Sequence, residues 1–174
     1  MSTREAVPFR TGSLRTFSTL LWFFIAIGWL VSIFSVIQEL CMVSACRDTV
    51  AFTFLGINLG WLGIAYFSFL LLLLWQRARH IWLDWLFVAM VFAGVGAEFR
   101  LLWIQKYIIG GWCPLCVSIC CALFCAGILL LFEKKQVAEP GVTGTKSLSM
   151  WAVLMAVMSA AGLVIAIICV KALE

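Results

Sequence analysis

Cys113-Pro114-Leu115-Cys116 sets two thiols at the C-x-x-C spacing that serves either metal binding or reversible disulfide chemistry. The motif stands where a long hydrophobic run begins, directly after Gly110-Gly111-Trp112. A second pair, Cys41 and Cys46, follows an earlier hydrophobic run. It lies in a polar segment, Gln38–Thr53, that also holds Glu39, Arg47 and Asp48. The residues between Cys41 and Cys46 can close a small disulfide loop if the backbone turns. Proline suits the first helical turn, where its missing N–H would lack an intrahelical partner anyway. Cys113 is therefore expected at a helix N-cap and Cys116 in the first turn. There the positive end of the helix dipole and free backbone N–H groups favour a thiolate, the nucleophile of disulfide exchange. Two such pairs on one side of a membrane would let electrons pass from one to the other. The same four residues could instead form two fixed disulfides stapling loops, or a four-thiolate metal site. A disulfide-forming compartment and the lack of a nearby histidine argue against the metal site, so none is expected.

The elements that must position these thiols are membrane helices. The chain has 174 residues, 65% hydrophobic and 11% charged, with a mean hydropathy of +1.14. Soluble domains carry about a quarter charged residues, so the composition excludes a soluble enzyme or nucleic-acid-binding domain. Five apolar stretches, each long enough to cross a hydrocarbon core, fall near Phe17–Ile37, Phe54–Trp75, Trp82–Trp103, Trp112–Phe132 and Leu148–Val170. The first is expected to remain as an anchor, being too long for a signal-peptide core and lacking a small-residue cleavage site. The fold expected is all-α: one integral membrane domain over residues 1–174. It comprises a four-helix transmembrane bundle over 17–132, a cytoplasmic linker over 133–147 with Pro140, Gly141 and Gly144, and a fifth transmembrane helix over 148–170.

Orientation follows from the basic residues. Arg4, Arg10, Arg15, Arg77, Arg79, Lys134, Lys135 and Lys146 fall on one side, against Arg47, Arg100, Lys106 and Lys171 on the other. The N-terminus is thus expected in the cytoplasm, and both cysteine pairs on the opposite side. In a bacterium that side is the periplasm, where disulfides form and persist.

Among the other residues, Cys120, Cys121 and Cys125 lie inside span four and Cys169 near the end of span five. Their ordinary use is as small hydrophobes in helix packing. A sharper use is a vicinal Cys120-Cys121 pair relaying a soft metal ion. Cys120 follows Cys116 by one helical turn on the same face, so it could border whatever Cys116 touches. Glu98 and Arg100 fall near the outer end of span three, close enough to the surface to snorkel. The functional alternative is Arg100 stabilising a thiolate or semiquinone. Trp61, Trp112, Phe52 and Phe54 belong to the interfacial aromatics or could wall a pocket. His80 reads as a solvated loop residue.

In this order and topology the residues resemble the vitamin K epoxide reductase family, in its bacterial form related in function to DsbB. The likeness spans roughly Phe17–Phe132. It rests on the Cys41/Cys46 loop, on Gly56-Ile57-Asn58-Leu59-Gly60-Trp61-Leu62-Gly63 entering span two, and on Trp112-Cys113-Pro114-Leu115-Cys116-Val117 opening span four. The resemblance implies a thiol:quinone oxidoreductase of the bacterial inner membrane, without a fused thioredoxin domain. A reduced periplasmic thioredoxin-fold (DsbA-like) partner would attack the Cys41–Cys46 disulfide at Cys41, and Cys46 would then attack Cys113. Cys116, released, would pass electrons to a bound quinone, ubiquinone or menaquinone, bordered by Asn58, Cys120, Arg100 and Trp61. The chain departs from the family pattern at three points. Its loop spacing is short, Asn58 occupies a slot often filled by proline, and Cys120 stands where members that reduce vitamin K epoxide often carry tyrosine. The last point favours a plain quinone over the epoxide. Two other classes use the same residues. One is a soft-metal transporter capturing ions at Cys41/Cys46, and the other a tetraspan-like structural protein with permanent external disulfides.

Overall fold

The computed structural model describes residues 10–40, 52–54, 57–77, 79–137 and 144–172. The protein is an all-α membrane protein built on five long helices: α1 (Arg10–Leu40), α2 (Leu59–Gln76), α3 (Ile81–Ile104), α4 (Pro114–Val137) and α5 (Gly144–Cys169). Five apolar spans result, at Thr16–Gln38, Leu59–Gln76, Ile81–Ile108, Pro114–Lys135 and Ser149–Cys169. Helices suit these sequences because a bilayer offers no water to backbone N–H and C=O groups, and a helix satisfies them internally.

α1 packs on α2 and α4, and α3 packs on α2 and α4, so the first four helices form a closed bundle. α5 lies outside that ring, mainly against α3. The bundle core draws on every member: Leu21 and Ile25 of α1, Phe67 and Leu70 of α2, Phe87 and Val91 of α3, and Leu123 and Leu130 of α4 are almost fully buried.

Small residues set the helix seams, as expected where lipid removes the hydrophobic drive for helix association. On the α1–α2 seam the Phe67 ring occupies the space a side chain at Gly28 would need. A Cβ at Gly63 would come within 2.8 Å of the Ser32 hydroxyl, which itself donates to the Gly28 carbonyl at 2.9 Å. Trp29 Nε1 donates to Ser68 Oγ at 2.9 Å across the same seam. α3 and α5 run parallel and touch backbone to backbone. A Cβ at Gly96 would overlap the Ser159 carbonyl, and one at Gly162 would overlap the Ala93 carbonyl. Gly162→Val is accordingly expected to push α5 off α3 at a cost of about 1–3 kcal/mol, the usual range for overpacking. A lowered thermal midpoint in detergent micelles checks it, with Gly127→Ala as control, since a Cβ there meets only ordinary contacts beyond 3.5 Å.

Several boundaries differ from the sequence expectation. The second span opens at Leu59 rather than near Phe54, because Phe52–Phe54 (β1) is a strand paired antiparallel with Ile57–Asn58 (β2). A further strand, Val170–Ala172 (β3), pairs with the other edge of β1 and tethers the end of α5 beside the start of α2. The linker expected over 133–147 is largely helical. α4 continues through Val137 and α5 begins at Gly144, with Glu133 and Lys134 buried in the bundle.

Their burial has an electrostatic cause. Arg77, just after α2, bonds Glu133 and sits 3.6 Å from Asp84 in the first turn of α3, while Lys134 bonds the other Asp84 oxygen. Lys134 Nζ also lies 4.5 Å above the Trp151 ring, which stacks on Trp85 at 4.1 Å. Two cations and two carboxylates thus join α2, α3, α4 and α5 at the end of the bundle opposite the C-x-x-C.

Candidate functional site

The third span runs to Ile108, beyond the Trp103 expected, because α3 passes into a π-helical turn over Gln105–Ile109. Gly110 ends that turn at φ 71°, a left-handed conformation that glycine adopts without strain. The chain then reverses and α4 opens at Pro114. The Cys113 carbonyl accepts the first helical bond, from Val117 N–H at 3.0 Å, which places Cys113 at the N-cap and Cys116 in the first turn.

Gln105 organises this mouth. It is buried, 3% exposed, and its Oε1 accepts the Cys113 N–H at 3.3 Å. The same side chain lies near enough to Cys116 to act on its thiol. One amide therefore bonds the first residue of the C-x-x-C and lies beside the second. Sequence reading missed Gln105, which stands past the expected end of span three beside Lys106 and Tyr107. The signal available was its spacing of seven from Glu98, two turns along one helix face.

The two cysteines of the motif differ in state. Cys113 is buried and disulfide-bonded. Cys116 is partly exposed and carries a free thiol, as do Cys120, Cys121, Cys125 and Cys169. The C-x-x-C is therefore not bridged within itself. Cys41 and Cys46 lie outside the described residues.

Below Cys116, Cys120 is buried at 3% exposure while its neighbour Cys121 is exposed. Successive residues on a helix point about 100° apart, so these two thiols face different ways. Among the described residues no group of three or more His, Cys, Asp or Glu converges as a metal set.

Of the residues expected to border a ligand, Cys120 sits one turn below Cys116. Asn58 is in β2, opposite Thr53, and not in the helix. Trp61 is on the first turn of α2 and 54% exposed. The Arg100 guanidinium lies 4.6 Å from the Trp103 ring centre, its Nε buried without a hydrogen-bond partner.

The charged group whose field reaches the thiols is Glu98, which acts on Cys116, on Cys120 and on the Tyr66 hydroxyl. Glu98 stands ten residues short of the end of its span, about 15 Å along the helix. No family model, curated protein or solved structure matches this chain. Fold and site together define a multi-pass helical membrane protein with a cysteine pair at a helix mouth.

Proposed function

We propose that the chain is a membrane thiol:quinone oxidoreductase of the bacterial inner membrane, with its N-terminus cytoplasmic and its reactive cysteines periplasmic. It reoxidises a periplasmic thioredoxin-fold (DsbA-like) protein and passes the electrons to ubiquinone or menaquinone. The observation that carries the reading is the unequal state of Cys113 and Cys116. A disulfide-bonded sulfur at the N-cap beside a free thiol in the first turn is the pattern of a relay midway between two pairs. The order of motifs that resembles the vitamin K epoxide reductase family supports the same sequence of events.

In this relay the partner's thiolate attacks Cys41, breaking the Cys41–Cys46 bond and freeing Cys46. Cys46 attacks Cys113, forming a Cys46–Cys113 bond and breaking Cys113–Cys116. The partner's second thiolate then displaces Cys41, so the partner leaves as a disulfide, and Cys41 attacks Cys46, restoring Cys41–Cys46 and freeing Cys113. Each exchange makes one S–S bond and breaks one, so two electrons and two protons have moved from the partner's dithiol to Cys113 and Cys116. There Cys116 delivers the electrons.

The residues present fit an apolar carbonyl acceptor. Cys116 offers a free, partly exposed thiol at the helix mouth, with Cys120 one turn below it. A quinone would supply the two-electron sink, held among Cys116, Cys120, Glu98 and Tyr66. Gln105 and the helix N-terminus meanwhile stabilise the thiolate.

The test is anaerobic. The purified protein in lipid nanodiscs, mixed with a reduced thioredoxin-fold protein and a short-chain ubiquinone, then menadione, should consume quinone by ultraviolet absorbance. No consumption of either in the presence of thiol would leave permanent disulfides as the better account.

A further inference from the structure

The facing stripes of α3 and α4 are polar inside the membrane. Gly94 of α3 lies against the Tyr66 hydroxyl and Leu123 of α4. Glu98 follows one turn nearer the mouth on the same face, and Gln105 two turns further again. On antiparallel α4 the matching ladder is Leu123, Cys120, Cys116 and Cys113. Gln105 bonds at the top rung and Glu98 acts on the two rungs between.

A carboxyl group placed there is costly and asks for a use. Among the described residues neither a hydrogen bond nor an ion pair engages it. The groups facing it are Tyr66 from α2 and Cys116 and Cys120 from α4. Tyr66 donates its own proton to the Met90 carbonyl at 2.8 Å. Arg100, on the same helix as Glu98, is stacked over Trp103. The spans of α1 and α5 contain no Asp, Glu, Lys or Arg.

We propose that Glu98 is the proton carrier between the Cys116 thiol and the carbonyl oxygen of the electron acceptor, a role that rests on the oxidoreductase reading above. When the Cys113/Cys116 pair passes from dithiol to disulfide, two electrons and two protons leave the sulfurs, enough to turn one quinone into its quinol. Glu98 carries one of the protons. Its carboxylate takes the proton of Cys116, breaking S–H and forming O–H. That O–H then breaks as the proton moves to the reduced acceptor's oxygen, and the carboxylate is restored. The second proton is exchanged with water at the helix mouth, where Cys113 sits. Glu98 thus ends each cycle unchanged.

Glu98→Gln keeps the shape and removes the proton traffic, while Glu98→Asp keeps the chemistry on a shorter stem. In nanodiscs, Glu98→Gln is expected to slow quinone reduction roughly 10²–10⁴-fold, the range of a lost general acid–base. Glu98→Asp should fall between it and the wild type, and the mixed disulfide with the thioredoxin-fold protein should form at the wild-type rate in both. A second readout does not involve the acceptor: alkylation of Cys116 by N-ethylmaleimide, followed by mass spectrometry across pH. Coupled groups lose their protons in two macroscopic steps, so the wild-type rate should rise in two steps and that of Glu98→Gln in one.

Superimposable alkylation profiles, or quinone reduction by Glu98→Gln at the wild-type rate, would overturn the proposal. If the wild type reduces no quinone, the oxidoreductase reading itself falls and the carrier role goes with it. A defect confined to the Glu98 variants leaves that reading intact.

Discussion

Serine in place of Cys116 is expected to bring quinone reduction to background, a loss on the order of 10³-fold or more, as when the nucleophile of a catalytic unit is removed. The substitution is nearly isosteric and keeps a hydrogen-bonding group within reach of Gln105, so the mouth of α4 should stay folded. What it removes is the only sulfur of the C-x-x-C that is free in the structure. In the relay, Cys113 without a resolving thiol beside it has no route to pass electrons inward. The thioredoxin-fold protein would still react at Cys41 and stall there as a mixed disulfide. Two measurements read this: ultraviolet loss of quinone, and a non-reducing gel of the trapped complex. Cys121→Ser on the opposite, exposed face of the same helix should leave both unchanged. Cys46→Ser should abolish quinone reduction as Cys116→Ser does, because it removes the sulfur that links the two pairs. Undiminished turnover in either variant would end the relay.

The five spans were legible because each is an apolar run of membrane length, and the start of α4 because proline at a first helical turn is a local signal. The faces of those helices were not. In a water-soluble bundle polarity separates the inside of a helix from the outside, but here lipid and core are equally apolar. Phe87, fully buried, and Phe99, half exposed, look alike in sequence. Only the small residues could have marked the seams, and Gly28, Gly63, Gly96 and Gly162 do so once the backbones are seen to touch. The length of the third span was hidden for a related reason. Hydropathy drops at Gln105 and Lys106, so the sequence places the end of the span near Trp103, whereas the π turn carries the apolar helix to Ile108. Gln105 stands past that expected end, and nothing in its neighbourhood of Lys106 and Tyr107 marks it as the group that accepts the Cys113 N–H.

At the far end of the bundle, Asp84→Leu is expected to destabilise the protein by roughly 3–5 kcal/mol, the usual cost of breaking a buried ion pair by removing one partner. Asp84 is shared: one oxygen faces Arg77 at 3.6 Å and the other is bonded by Lys134, so its loss leaves two cations short of a counter-charge. Glu133→Leu should cost less, since Arg77 keeps Asp84. Arg77 Nη1 and Glu133 Oε2 already lack hydrogen-bond partners among the described residues, so this pair is not an optimised one. Removing both members together should therefore recover much of the loss. A well-packed apolar pair avoids the desolvation that two charges must offset with their attraction. Arg77→Met with Glu133→Leu is thus expected to be more stable than Glu133→Leu alone. Unfolding in mixed micelles with rising dodecyl sulfate, followed by tryptophan fluorescence, measures the order, because Trp85 and Trp151 stack beside Lys134. An additive double variant would mean that Arg77 and Glu133 act independently, with Asp84 alone holding both cations. None of these changes touches the mouth of α4, so the Cys113 disulfide and the free Cys116 thiol should persist in each. That persistence separates the part of the bundle that keeps the helices together from the part that carries electrons.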